Sequence, residues 1–213
     1  MPIEIKICGV KSPEEIAAAV DAGATHIGIN LYEPSPRYVP LDQAAKLRQH
    51  VPPSVKSVLL LVSMEAREAA NALAAVQPDV VQFHGAETVE GCAAFRDALP
   101  IEIWKAVGVK DAASLEKSQR FVGAVDRILY DAPAAKLPGG NGIALDWSLL
   151  AGFNHKVQWG LAGGLNAANV GEAIRQTSAP MVDTSSGVES APGVKDIDKI
   201  AAFCQAARDA VRL

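Results

Sequence analysis

Two glycine- and serine-rich turns near the end of the chain are the clearest chemical feature of this sequence. Gly163 and Gly164 follow one short apolar run, and Ser185, Ser186 and Gly187 follow the next. Turns of this kind leave main-chain N–H groups free to point at a bound anion, most often phosphate. A glycine pair often makes only a turn, so the hypothesis depends on the two turns being neighbours. If they are, they predict one phosphate site.

Cys8 is a candidate base near the start of the chain. Three isoleucines of the run 3–7 share one face of a predicted strand, and Lys6 and Cys8 share the other. A cysteine in a strand is usually just a small buried hydrophobe. However, a nearby ammonium would lower the pKa of the thiol and make a thiolate base available. Lys6 could also form a buried ion pair with Asp183 on the last predicted strand, and the two interpretations are compatible.

Asp131 is the candidate acid. It ends a predicted strand and opens the long irregular stretch 132–145, which contains the glycine-rich segment 139–142. One interpretation is a carboxylate that only caps this loop. The other is an acid–base group at a catalytic rim beneath a lid, since long loops of this kind often carry function.

Two further side chains are candidates for binding. Arg37 lies in the stretch 34–38, where prolines would hold its planar guanidinium stiffly toward a carboxylate. An isolated arginine is, however, usually solvated. His84 shares a strand face with Gln82, and we favour a hydrogen-bonding group there over a titrating base.

Composition limits the classes of partner. The chain has 213 residues, 49% of them hydrophobic, and a formal net charge of −4, which does not favour nucleic acid or an anionic membrane. We expect no signal peptide before the first predicted strand, and no apolar run is long enough to span a bilayer. Cys8, Cys92 and Cys204 fit neither a zinc nor a disulfide spacing, which suggests a reducing, cytoplasmic setting.

Short β-rich runs alternate with alanine-rich helical stretches along the chain. The predicted strands are 3–8, 26–30, 56–62, 80–84, 102–107, 127–130, 157–161 and 181–183. The predicted helices are 13–21, 41–49, 64–76, 88–99, 112–121, 147–150, 167–177 and 196–212. Ser12, Pro13 and Glu15 form a helix-start signal with a capping box, and Asn166 is a candidate cap for the seventh helix.

This alternation predicts an α/β fold, a single (βα)8 TIM barrel that forms one catalytic domain over residues 1–213. Eight units give about 27 residues each, near the minimum for a closed barrel. The competing architecture is an open doubly wound sheet, but the turn after Cys8 lacks the GxGxxG pattern usual there. In a barrel, the loops after the strands form the catalytic face, and phosphate commonly binds after strands seven and eight.

The candidate residues occur in order within a set of short motifs. The motifs are Lys6-Ile7-Cys8-Gly9, Ser35-Pro36-Arg37, Gln82-Phe83-His84-Gly85, Asp131-Ala132, Gly139-Gly140-Asn141-Gly142, Asp146-Trp147, Gly163-Gly164-Leu165, Asn169-Val170 and Ser185-Ser186-Gly187-Val188-Glu189. In this combination the chain resembles the phosphoribosylanthranilate isomerase family of tryptophan biosynthesis. The resemblance covers nearly the whole chain, and the opening and closing motifs together make it specific.

The resemblance implies an Amadori rearrangement of a small phosphorylated substrate, N-(5′-phosphoribosyl)anthranilate. Asp131 would protonate the furanose oxygen, and Cys8 would remove the C2′ proton. Arg37 would hold the anthranilate carboxylate, while His84 and Asp183 would contact the substrate and the two turns would bind its phosphate. No cofactor or metal is implied, because the proton moves within the substrate skeleton. The protein would be a cytoplasmic monomer or homodimer.

The chain departs from the usual family pattern at a few positions. Asn30 and Leu31 replace an apolar residue and a phenylalanine after strand two, Phe83 replaces a commoner leucine, and Thr184 replaces valine. The first two touch the loop that leads to Arg37. These changes concern the pocket for the aromatic ring.

Two rival functions remain. One is an isomerase acting on another phosphoribosylamine, as in histidine biosynthesis, which usually has an aspartate at the position of Cys8 and two phosphate sites. The other is a barrel of this family that binds ligand without turnover. The intact pair of Cys8 and Asp131 argues against the second rival, and the single evident phosphate site argues against the first.

Overall fold

Eight parallel strands, each paired with the next along the chain, close into a barrel when the first pairs with the eighth. The computed structural model describes residues 2–133 and 145–211. The barrel strands are β1 (Glu4–Cys8), β2 (His26–Asn30), β3 (Lys56–Leu61), β4 (Val80–Phe83), β5 (Glu102–Gly108), β6 (Arg127–Asp131), β7 (Gln158–Leu161) and β8 (Met181–Thr184). The predicted (βα)8 barrel is confirmed and the open sheet is excluded. The domain extent of 1–213 stays a prediction.

The described helices follow the strands in the expected alternation. The α-helices are α1 (Pro13–Asp21), α2 (Leu41–Arg48), α3 (Ala66–Val76), α4 (Val89–Ala98), α5 (Ala112–Ser118), α6 (Val170–Thr177) and α7 (Ile197–Ala210). The short helix predicted between β6 and β7 is the 3₁₀ turn Trp147–Leu149, and a further 3₁₀ turn, Ser186–Val188, follows β8. Within the described ranges, no helix is long and apolar enough to cross a membrane.

A small hairpin after β8 was not predicted from the sequence. Its antiparallel strands are β9 (Glu189–Ala191) and β10 (Val194–Lys195). These strands have three and two residues, too short for a periodicity of two to stand out. The hairpin lies between the barrel and α7, and two of its side chains reach the functional site.

The two helix-start predictions have different outcomes. Ser12 caps α1 as expected, accepting a hydrogen bond from Glu15 N at 3.3 Å. The Glu15 carboxylate accepts from Lys11 N instead of the cap residue, so the capping box does not close. The cap predicted at Asn166 is wrong, because α6 begins three residues later than expected, and Asn166 Oδ1 accepts from Ala168 N in a local turn.

The alternation predicted for β1 is confirmed by where its side chains lie. Ile5 and Ile7 belong to the main apolar core, which includes the helices that surround the barrel. Lys6 is fully buried and pairs with Asp183, with 2.9 Å between Nζ and Oδ2. The parallel pairing of β1 with β8 sets these two residues side by side. The inner face of β1 therefore brings a buried charge toward the barrel mouth.

Candidate active site

A polar cavity, here called the mouth cavity, opens among the loops that follow the barrel strands. It is lined by Cys8, Asn30, Ser35, Arg37, Leu60, Gln82, His84, Asp131, Ala162, Gly163, Gly164, Leu165, Asp183, Thr184, Ser185 and Ser186. Every site residue predicted from the sequence is in this set except Gly187. A larger groove between α3 and α4 has an apolar lining with no titratable side chain. The mouth cavity, by contrast, brings the candidate acid and the candidate base together.

Asp131, the candidate acid, lies at the end of β6 and has a close contact at each carboxylate oxygen. Its Oδ1 accepts from Ala132 N at 2.7 Å, and its Oδ2 lies 3.2 Å from His84 Nε2. Gln82 Nε2 lies 3.4 Å from the other ring nitrogen, His84 Nδ1. The structure therefore joins His84 to the candidate acid, a contact that the sequence did not predict.

Cys8, the candidate base, lies at the end of β1 beside a buried ammonium. Burial raises the pKa of the Cys8 thiol above its ordinary value, although Lys6 and Lys195 act to lower it and Asp183 raises it further. Burial alone would lower the pKa of Lys6, but the charges of Asp183 and Cys8 hold it above its ordinary value. The lowered thiol pKa expected from Lys6 is thus wrong, because desolvation outweighs the ammonium.

Gly28 makes the space for this pair on the neighbouring strand. A Cβ at Gly28 would lie 2.8 Å from Cys8 Sγ and 3.2 Å from Lys6 Cε. These separations are too short for carbon or sulfur atoms in van der Waals contact. Gly28 pairs with Cys8 in the register of β1 and β2. The packing of the site therefore requires a residue without a side chain at this position.

Asp183 uses one carboxylate oxygen and leaves the other available. Oδ2 accepts from Lys6 Nζ at 2.9 Å. Oδ1 is buried and has no hydrogen-bond partner in the part of the chain that the structure describes. A buried acceptor without a partner is costly in a protein. Asp183 lines the mouth cavity, so its Oδ1 is available there as a hydrogen-bond acceptor for a hydroxyl group.

The two turns predicted to bind phosphate are neighbours, as expected from a barrel. The amide groups of Gly163, Gly164, Ser186 and Gly187 donate no hydrogen bond to any described residue. Gly163 has a φ of +86° and Gly164 a φ of +70°, a region where side chains other than hydrogen are strained. The turns therefore present a group of unpaired main-chain donors, as an anion site requires.

Gly187 lies beside this site rather than in its lining. A Cβ at Gly187 would overlap the carbonyl oxygen of Leu165. Thr184 Oγ1 donates to the same carbonyl at 2.7 Å. The absent side chain at Gly187 thus allows the loops after β7 and β8 to pack together.

Arg37 reaches the mouth cavity, but most of its guanidinium is already bound. Its Nε donates to Glu189 Oε1 at 2.7 Å and its Nη2 donates to Oε2 at 2.8 Å, a bidentate pair. The side chain is 10% exposed, so the solvated interpretation is excluded. Only Nη1 makes no hydrogen bond within the described residues. Arg37 therefore has one nitrogen, rather than a whole fork, to offer a ligand in this arrangement.

Comparison with known proteins agrees with this geometry. The family model described as N-(5'phosphoribosyl)anthranilate (PRA) isomerase matches residues 5–206. The N-(5'-phosphoribosyl)anthranilate isomerase of Erythrobacter litoralis (strain HTCC2594) is 63% identical over 206 residues, covering 97% of this chain and 99% of that protein. The chain belongs to the N-(5'-phosphoribosyl)anthranilate isomerase family.

Solved members of the isomerase family have the same barrel. The crystal structure of the Thermotoga maritima phosphoribosyl anthranilate isomerase matches with a TM-score of 0.89 at 33% identity, covering 97% of this chain and 99% of that one. A further isomerase structure, with a TM-score of 0.85 at 32% identity and the same coverage, is a complex with reduced 1-(o-carboxyphenylamino)-1-deoxyribulose 5-phosphate.

Asn30, a departure from the usual isomerase pattern, has a structural role in the loop that carries Arg37. Its Nδ2 donates to Ser35 Oγ at 3.1 Å, and its Oδ1 accepts from Tyr32 N at 2.8 Å. Ser35 Oγ in turn accepts from Arg37 N at 3.2 Å. The polar residue thus braces the β2 loop instead of leaving a buried polar group unpaired.

Three site residues of this isomerase-family member were not assigned a role from the sequence. Gln82 orients His84, while Glu189 and Lys195 meet Arg37 and the loop after β8. For the contact between Gln82 and His84, the signal in the sequence was that both residues lie on the same face of one predicted strand. Glu189 stands in the closing motif, but its partner Arg37 is 152 residues away in sequence. Lys195 lies beyond that motif. Residues 134–144 of the predicted lid 132–145, including the glycine-rich segment 139–142, lie outside the described residues.

Proposed function

We propose that this chain catalyses the Amadori rearrangement of N-(5′-phosphoribosyl)anthranilate to 1-(2-carboxyphenylamino)-1-deoxyribulose 5-phosphate, a step of L-tryptophan biosynthesis. One observation carries the proposal: Cys8 and Asp131 line the same cavity as the unpaired amides of Gly163, Gly164 and Ser186. An acid, a base and an anion site within one cavity are what this reaction needs. The family membership supports the same reaction.

Asp131 acts first, as the general acid. It gives a proton to the furanose ring oxygen, while the nitrogen lone pair of the substrate forms a C=N bond to C1′ and the C1′–O bond breaks. The product of this step is an open-chain Schiff base. The hydrogen bond from Ala132 N and the contact with His84 fix the direction in which the carboxyl group points, which supports this role.

Cys8 acts second, as the general base. Its thiolate removes the C2′ proton, the C2′–H electron pair forms a C1′–C2′ double bond, and the π pair of the C=N bond returns to the nitrogen. The resulting enolamine gains a proton at C1′ and loses the proton of its C2′ hydroxyl group to give the ketone. The neighbouring Lys6 ammonium stabilises the thiolate electrostatically. Asp183 Oδ1, the buried oxygen without a described partner, would accept a hydrogen bond from a sugar hydroxyl between the acid and the base.

The two ends of the substrate have separate anchors in this proposal. The loops after β7 and β8 hold the phosphate through main-chain N–H groups. Arg37, which also lines the mouth cavity, would bind the anthranilate carboxylate through Nη1. His84 lines the same cavity and would contact the substrate there. The spacing of these anchors along the cavity would select a substrate with one phosphate and one carboxylate.

The deciding experiment follows the loss of anthranilate fluorescence when purified protein meets freshly generated phosphoribosylanthranilate. We expect turnover by the unchanged chain and a fall in kcat of roughly 10²- to 10⁴-fold in Cys8→Ala and in Asp131→Asn. Affinity for the reduced product should change little. Cys92→Ala is the matched control, because Cys92 is buried in α4 away from the mouth cavity.

Each adverse outcome points to a different alternative. Normal turnover in either variant would remove the assigned acid–base pair. A folded but inactive unchanged chain would favour a ligand-binding barrel without turnover, or an isomerase for another phosphoribosylamine. Assays with that second substrate would separate the two alternatives.

We also propose that the protein is a cytoplasmic monomer or homodimer that takes a small phosphorylated substrate. The free thiols at all three cysteine positions support a reducing compartment. Sedimentation velocity of the purified chain would distinguish one copy from two.

A further inference from the structure

The hairpin formed by β9 and β10 joins the two loops that the proposed function assigns to opposite ends of the substrate. Glu189, on β9, accepts both hydrogen bonds from Arg37 and a third from Gly193 N at 3.2 Å. Lys195, on β10, donates to Glu189 Oε1 at 2.8 Å. One carboxylate thus connects a guanidinium on the β2 loop to an ammonium on the hairpin.

Lys195 continues the connection to the loop after β8. Its Nζ donates to Ser185 O at 3.0 Å and lies 3.2 Å from Ser185 Oγ. An ammonium group has three donors, and Glu189 with the two Ser185 oxygens accounts for all three. The Lys195 side chain is fully buried. A buried lysine with every donor used holds neighbouring groups in place and has no donor left for a ligand.

The contact with Ser185 O determines the direction of an expected phosphate donor. A peptide bond is planar and trans, so the carbonyl of Ser185 and the N–H of Ser186 point in opposite directions within one plane. Fixing the Ser185 carbonyl on Lys195 therefore fixes the Ser186 N–H, which has no hydrogen bond to any described residue. Ser185 Oγ also donates to Cys8 O at 2.9 Å, which ties the same turn to the candidate base.

At the other end, Glu189 determines which nitrogen of Arg37 faces the cavity. Two of the three guanidinium nitrogens are used, and the planar fork cannot turn without breaking both bonds. Burial raises the pKa of Glu189, but Arg37 and Lys195 outweigh it, so the pKa lies below its ordinary value. A Cβ at Gly193 would overlap the carbonyl oxygen of Pro36, so the hairpin tip packs directly on the Arg37 loop.

We propose that Glu189 and Lys195 are positioning residues: Glu189 orients Arg37 toward the carboxylate of the substrate, and Lys195 orients the Ser186 amide toward its phosphate. The inference rests on the proposed function, because that function supplies the two anchors. The net charge of this group of residues is +1, because Glu189 neutralises one of the two cations Arg37 and Lys195. The substrate carries negative charge at both ends, so this net charge favours its binding. The hairpin thereby sets the distance between the two anchors.

The test compares two ligands by calorimetric titration: the reduced product and its analogue that lacks only the ring carboxylate. In the unchanged chain we expect the carboxylate to improve affinity roughly tenfold or more, as for a hydrogen bond to a charged group. In Glu189→Gln that advantage should fall to about threefold or less, with little change for the analogue. In Lys195→Met both ligands should bind roughly tenfold more weakly, and Lys195→Arg should recover most of that loss.

Matched controls separate positioning from folding. Glu4→Gln changes the partner of another arginine, Arg127. These two residues begin β1 and β6, at the end of the barrel away from the mouth cavity. Lys199→Met removes an exposed lysine that donates to the Glu189 carbonyl but does not touch Ser185. Both controls should keep the affinities of the unchanged chain. In Glu189→Gln KM should rise more than kcat falls, because the acid and base remain in place. Lys195→Met also removes a cation that lowers the Cys8 pKa, so ligand affinity rather than kcat is the measurement for that variant.

The outcomes distinguish this inference from the proposed function. Equal affinity of the unchanged chain for both ligands would overturn the role of Arg37 and the inference with it. A carboxylate advantage that survives in Glu189→Gln, or increases because Glu189 competes for Arg37, would overturn the inference alone. Unchanged affinities in a folded Lys195→Met variant would overturn the inference that Lys195 orients the Ser186 amide toward the phosphate.

Discussion

His84 Nε2 and Asp131 Oδ2 lie 3.2 Å apart, which makes the histidine a partner of the candidate acid as well as part of the cavity wall. In the proposed mechanism Asp131 releases a proton to the sugar and takes one back in each catalytic cycle. An imidazole beside its carboxylate stabilises the negative charge that is left after release. The contact therefore connects a residue expected only to bind substrate with the first chemical step.

Loss of this contact should reduce turnover more than affinity. In His84→Leu we expect kcat to fall roughly tenfold or more, because the polar contact of the imidazole with the Asp131 carboxylate is lost. His84→Gln can still donate to Asp131 and should lose less. Steady-state kinetics on both variants test this. An equal loss in both, confined to KM, would assign His84 to substrate binding alone.

The pH dependence of activity should report the buried thiol. Because burial raises the pKa of Cys8, the thiolate forms only at higher pH, and kcat/KM should increase with pH. We expect the midpoint of this rise above about 8.5, the ordinary value for a cysteine. The measurement is kcat/KM from about pH 6 to about pH 10. A midpoint below the ordinary value would show that Lys6 outweighs desolvation.

Lys6 provides the second part of that test. In Lys6→Met the thiolate loses its nearest cation, so the midpoint should move to still higher pH. Lys6→Arg keeps the charge and should move it less. A profile that does not change in Lys6→Met would separate the lysine from the base and leave it only the ion pair with Asp183.

Gly28 should be intolerant of a single methyl group. In Gly28→Ala the new Cβ would contact Cys8 Sγ at 2.8 Å, so the thiol must shift. We expect a fall in kcat and a loss of about 1–3 kcal/mol in the free energy of unfolding, as for other overpacked cores. Gly91→Ala is the control, because its nearest neighbour, Thr88 Oγ1, is 3.4 Å away. Full activity in Gly28→Ala would refute the packing requirement.

Stability should decrease in mild acid because of His26. Burial, with the charges of Arg127, Lys56 and Lys6, lowers the pKa of His26 in the folded chain to about 3, from an ordinary value of 6.5. The unfolded chain takes up a proton as the pH falls below that ordinary value, whereas the folded chain does not until about pH 3. Stability from this residue is therefore fully present above the ordinary value and is lost progressively below it.

Denaturant unfolding of the unchanged chain and His26→Gln tests this sign. Between neutral pH and about pH 5 we expect the unchanged chain to lose about 2 kcal/mol more than the variant. His155, whose pKa burial lowers to about 4, acts in the same direction in both proteins and cancels in the comparison. Equal losses in the two proteins would contradict a buried, neutral His26.

Local patterns in the sequence determined the barrel and the positions of its candidate groups. Alternation along 3–8 put Lys6 and Cys8 on the inner face, because side chains on a strand alternate strictly between its two faces. Asp131 and the two glycine turns were identified because each follows a strand, and parallel strands in a barrel all finish at one end. These inferences need only spacing along the chain. They failed mainly at element ends, as with Asn166 and α6.

Only the tertiary structure decided which charged groups meet and how far they are desolvated. Arg37 and Glu189 are 152 residues apart in sequence, and no local period relates them. The partnership of His84 with Asp131 depends on two strands that are not adjacent in the barrel. The Cys8 pKa was misjudged because a neighbouring lysine can be read from the sequence, whereas the competing cost of burial depends on the packing around the thiol.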